Sequence, residues 1–172
     1  MAGALIEVAT NTVSSAVASV TLTGISTNDV YMLAFNNVTM NTSGSGMYVR
    51  TTTSGSADSD SEYDNAFKFF RSVNAFENTT GQGNDKWGVG PQRVASAVSA
   101  NGVLNLFNFN DSSEYSSMLV DNCFFWSGSN EFAGYVGAAT HSVAESNDGI
   151  HFVSDSGRTF TAGTFTLFKI QS

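Results

Sequence analysis

Residues 101–110, NGVLNLFNFN, decide the fold. Asn101-Gly102 suits the positive φ angles of a tight reversal. After it, Leu104 and Leu106 fall on one side of an extended chain, and Val103, Phe107 and Phe109 on the other. Asn105 and Asn108 interrupt any 3.6-residue stripe and lower helix propensity. Bulky groups on both sides predict a central strand of a layered β structure rather than an edge. The polar run Asp111-Ser112-Ser113-Glu114 then predicts a turn into a second strand starting near Tyr115. This hairpin is read as the middle of the fold.

Working outward, period-two patterning predicts strands over residues 4–8, 13–23, 30–40, 47–53, 115–126, 132–141, 150–154 and 160–170. In the third of these, Tyr31, Leu33 and Phe35 share one face while Val30, Met32 and Ala34 share the other, which marks a second inner strand. Gly163 reads as a bulge in the last strand. Residues 63–76 fit either period, and their aromatic content favours a strand. Residues 78–98 hold Gly81, Gly83, Gly88, Gly90 and the single proline, Pro91, and read as a long loop packed down by Trp87. The architecture expected is all-β, a single-domain antiparallel two-sheet sandwich over residues 1–172, a jelly roll of about eight strands.

Composition agrees with strands and turns. The chain has 172 residues, enough for a sizeable core. Only 13% are charged, about half the usual share, and Ser, Thr, Asn and Gly supply the polarity instead. The formal net charge is −8, and the seven basic residues, Arg50, Lys68, Arg71, Lys86, Arg93, Arg158 and Lys169, form no stripe. Nucleic acid is therefore excluded as a direct partner. A single cysteine, Cys123, excludes an intrachain disulfide, and beside Phe124, Phe125 and Trp126 it reads as a small buried apolar residue. The opening MAGALIEV lacks the features of a signal peptide, and no apolar run is long enough to span a membrane. A soluble protein made in a cytoplasm is the expectation.

Few residues point to chemistry. Asp58, Asp60, Glu62 and Asp64 alternate like the start of a calcium loop, but Tyr63 stands where the EF-hand needs Gly and Phe69 where it needs Glu. The segment reads as a solvated acidic loop, with a weak surface calcium site as the lesser alternative. His141 and His151 read as surface residues of strands; they could form half of a metal site, yet no second pair of ligands shows the needed spacing. No G-x-S-x-G elbow is present, and the glycines of residues 78–98 do not open a helix as a phosphate loop requires. No catalytic, cofactor-binding or metal residue is assigned. Trp87, Arg93 and Tyr63 are the expected surface contacts, since long loops are frequent sites of function.

The order of several short motifs resembles a layout found in small structural proteins of tailed phages infecting marine bacteria and cyanobacteria. The matching stretches are residues 1–5, 13–22, 29–31 (DVY), 61–64 (SEYD), 102–110 (GVLNLFNFN), 144–157 and 163–170 (GTFTLFKI). The resemblance implies a non-enzymatic β-sandwich of the virion that decorates the head or belongs to the tail or fibre. It carries over no catalytic residue. Expected partners are copies of the chain, a trimer first, and other virion proteins. A rival reading is a carbohydrate-binding module for host-surface glycans, marked by an exposed Trp87 or Trp126. A hydrolase of surface sugars would need two carboxylates about 5–10 Å apart in a cleft.

Overall fold

The computed structural model describes residues 4–42, 46–73, 76–89, 99–126, 131–154 and 157–171. In chain order the strands are β1 (Ala4–Val13), β2 (Ser19–Thr23), β3 (Tyr31–Met40), β4 (Met47–Thr53), β5 (Ser56–Ala57), β6 (Tyr63–Arg71) and β7 (Glu77–Asn84). They continue with β8 (Trp87–Gly88), β9 (Ala100–Phe107), β10 (Tyr115–Trp126), β11 (Glu131–Ala144), β12 (Gly149–Ser154) and β13 (Phe160–Gln171). Every pairing between them is antiparallel. An eight-stranded sheet runs β1-β13-β3-β9-β10-β11-β6-β7; a smaller one runs β2-β12-β4-β5, with β8 also on β4. The described residues contain no helix. The protein is an all-β sandwich, as patterning predicts.

The two sheets bury a shared apolar layer because each strand sends alternate side chains inward. Leu33, Leu104, Leu106, Phe165 and Leu167 of the large sheet, and Val49, Ile150 and Phe152 of the small one, are fully or almost fully buried. Phe152 sits between two aromatics of the large sheet, 4.7 Å from Phe165 and 6.1 Å from Phe35 between ring centroids. At the far end Trp87 on β8 meets Tyr63 on β6 edge-on at 4.9 Å.

The hairpin β9–β10 lies at the centre of the large sheet, with β3 on its other side. Its turn is not where Asn101-Gly102 predicts it. Both residues continue β9, and Gly102 is needed for close approach: a Cβ there would lie 2.5 Å from the Phe35 ring and 2.6 Å from Asn122 Cβ. Asn101 instead accepts a hydrogen bond from the Asn37 amide at 2.9 Å, holding a bulge in β3. The reversal that does form is the one at Asp111: Asn108 takes φ 59°, and Asp111 Oδ1 accepts from the Ser113 amide and hydroxyl at 2.9 and 2.6 Å. Gly163 is a bulge, with φ 133° and a register shift between Ala162 and Thr164.

Other expectations need correction. Residues 13–23 are not one strand: β1 runs through Val13, and the chain then crosses to the small sheet before β2. Part of the predicted 78–98 loop is strand, because β7 pairs with β6 and β8 with β4 despite their glycines. Thirteen strands stand among the described residues, two of them only two residues long, and the split of eight against five is not that of an eight-stranded jelly roll. Cys123 is half-buried, not a core residue, because it is Asn122 and Phe124 that point inward from β10.

Candidate functional site

One polar corner interrupts the apolar layer. His141 belongs to the inward-facing series of β11, after Ala133, Tyr135 and Ala139, and its side chain is fully buried. The surface position expected for it is thus corrected: the phase of the strand turns it into the sandwich. Its ring tilts against Tyr63, its register partner on β6, at 4.8 Å. Nε2 lies 2.8 Å from Asp58 Oδ2 and 3.4 Å from Glu62 Oε2. Nδ1 lies 3.8 Å from Glu145 Oε1 and has no hydrogen-bond partner. Three carboxylates from two loop segments therefore surround a single imidazole.

The backbone holds these carboxylates in place. Asp58 closes an Asx turn by accepting from the Asp60 amide at 2.9 Å, and its own amide donates to Thr51 O at 3.1 Å. The Glu62 carbonyl accepts from the Ser142 amide and hydroxyl at 2.8 and 2.9 Å, tying the acidic loop to β11 beside His141. Glu145 accepts from the Thr53 hydroxyl at 3.2 Å. The Tyr63 hydroxyl donates to Asp58 O at 3.1 Å and accepts from the Thr51 amide at 3.2 Å. Burial pushes the Tyr63 phenol up to about 12. Outside the ring, Asp58, Asp60, Glu62 and Glu145 with Thr53 and Ser56 line a depression of about 390 Å³ that no basic residue lines.

The alternating acids therefore do not act as one loop. Asp58 and Glu62 converge on His141, Asp60 borders the depression, and Asp64 turns away to accept from the Gly83 amide at 2.7 Å. His151 takes no part: it pairs with Thr21 Oγ1 at 2.8 Å on the small sheet, where burial holds its pKa below the usual histidine range.

The expected surface contacts fare differently. Trp87 and Tyr63 are both fully buried, so neither can serve as one. Trp87 is pinned inside because its indole N–H donates to Thr140 O at 3.0 Å across the sandwich, and Tyr63 because it completes the polar corner. Arg93 lies outside the described residues.

A second feature is the outer face of the large sheet. Across β3, β9, β10, β11 and β6 the register aligns Met32, Asn105, Leu119, Ala138 and Ala66 in one row. The next row aligns Ala34, Val103, Asp121, Val136 and Lys68. Leu119 is 49% exposed and Val136 47%, and beyond them Phe125 faces Phe132, itself 50% exposed. Only Asp121 and Lys68 are charged in these rows. Beside Leu119, the small side chains of Ala66 and Ala138, with Asp64, Gly81, Gln82 and Ser117, leave a shallow depression of about 410 Å³. Exposed apolar residues thus stand side by side on this face.

The phase of each strand could have revealed both features, since odd positions of β11 enter the core and even ones face out. The meeting of Asp58 with His141 across 83 positions has no local signal. No protein-family profile, curated protein or solved structure matches this chain.

Proposed function

We propose that the protein is a non-enzymatic structural component of a bacteriophage virion, a homo-oligomer, trimer favoured, that decorates or stabilises the capsid or forms part of the tail or fibre. The observation that carries the reading is the outer face of the large sheet, where Leu119, Val136 and Phe132 stand exposed on a broad, nearly uncharged surface. The protruding Leu119 beside the Ala66–Ala138 depression offers both halves of a contact between copies. Neighbouring virion proteins are the other partners, and the motif order of the sequence supports the same setting. The rival carbohydrate-binding reading loses its marker, because Trp87 is fully buried and the face of Trp126 is covered by Arg71 at 4.7 Å.

Antibody labelling and mass spectrometry of purified particles test the proposal. Ordered labelling, with the chain present in many copies per particle, is expected. Particles that lack the chain, with the protein left free in the lysate, would contradict it.

A further inference from the structure

We propose that His141, Asp58 and Glu62 bind one divalent transition-metal ion, of the zinc or manganese type, with His141 as the nitrogen donor and Glu145 orienting its ring from behind. Carboxylates face both ring nitrogens of a fully buried imidazole, yet a neutral ring has only one proton to offer. If that proton sits on Nε2 and meets Asp58, Nδ1 presents a lone pair to Glu145, acceptor against acceptor, and Nδ1 is the atom without a hydrogen-bond partner. Such buried groups require an explanation.

A cation on the Nε2 side removes the conflict. Nε2 is 2.8 Å from the Asp58 oxygen and 3.4 Å from the Glu62 oxygen. Ligands at about 2.1 Å from a shared ion have such spacings when they subtend angles of about 85° and 110°. The ring proton then moves to Nδ1 and points at Glu145, which orients the imidazole from behind as carboxylates do in metal sites. Glu145 is close enough for that role, since one oxygen each of Asp58 and Glu145 and one nitrogen of His141 lie within 4.8 Å of one another. The depression of about 390 Å³ lined by these acids gives the ion a path and room for water ligands. A nitrogen donor disfavours calcium and magnesium, which take oxygen ligands. This inference stands on the corner alone and is independent of the virion reading.

The untagged full chain, dialysed against chelator, is titrated with ZnCl₂, MnCl₂ and CaCl₂ in turn by calorimetry and thermal melting. One zinc or manganese ion per chain, with a raised melting temperature, is expected. Glu62→Gln and Asp58→Asn each weaken binding by at least about tenfold, the least that loss of an outer partner of a ligand costs, whereas His151→Gln leaves it unchanged. Glu62 is a third exposed, so its variant can fold even where a His141 variant does not. No binding of zinc or manganese, binding of calcium alone, or equal affinity in Glu62→Gln and the parent chain would each overturn the site.

Discussion

Strand β11 serves two surfaces that differ in how the chain makes them. Its outward residues Val136 and Ala138 join a flat apolar face assembled row by row from neighbouring strands, each contributing one residue per row. Its inward His141 instead meets Asp58 and Glu62 from the loop before β6 and Glu145 from the segment after β11. The face tolerates change because no residue in it depends on a single partner. The corner does not, because burial commits each polar atom to the few groups within reach. The proposed contact surface, built by repetition, and the proposed metal site, built by convergence, thus share one strand.

Mutations should separate the two. The largest effect belongs to the apolar layer beneath both: Phe152→Ala, which removes the ring between Phe35 and Phe165, should cost about 3–5 kcal/mol in urea unfolding. Next is the corner. Tyr63→Phe leaves the Thr51 hydroxyl and amide without their buried partner and should cost about 1–3 kcal/mol. The same substitution should change the alkaline limb. The folded phenol titrates near 12 against an ordinary 10.0, so its contribution is whole below 10 and fades as pH rises from there towards 12. Melting curves across that window should be flatter for Tyr63→Phe than for the parent chain.

The face should respond least as a monomer. Leu119→Ser should shift unfolding of the isolated chain by about 0.5 kcal/mol or less, since Leu119 is half exposed. A cost as large as that of Tyr63→Phe would mean that the face is packed within one chain and is not a free surface. Smaller still is Asp29. Hydrogen bonds from Lys169 and Thr27 hold its carboxyl below the ordinary 3.8. Its contribution is present above that value and is lost as pH falls through the lowered one, so Asp29→Asn should slightly flatten the acid limb, and salt should erase the difference. An equal slope in Asp29→Asn and the parent at low salt would remove that ion pair from the account.

Legibility in the sequence follows the same division. Wherever one face of a strand enters the core, period-two patterning is sufficient: Tyr31-Leu33-Phe35, Leu104-Leu106 and Phe165-Leu167 all point inward as their alternation predicts. Turn chemistry misled at Asn101-Gly102, because glycine serves close packing against Phe35 as readily as it serves a reversal. The glycines of residues 81–88 hid β7 and β8, whose ladders to β6 and β4 give no alternation of apolar residues to read. The polar neighbours of Trp87 and Tyr63 point to surface positions, whereas their polar tips find partners inside the sandwich. The His141 corner needed register and loop geometry together, which no single stretch contains.

In the proposed assembly the outer face of the large sheet joins copies of this chain. Light scattering on the purified chain tests it most directly, with Leu119→Lys/Val136→Thr measured beside the parent across a hundredfold range of concentration. The parent should form a defined oligomer, a trimer first, and the double variant a folded monomer. A parent chain that stays monomeric throughout, or a double variant that assembles as the parent does, would contradict it.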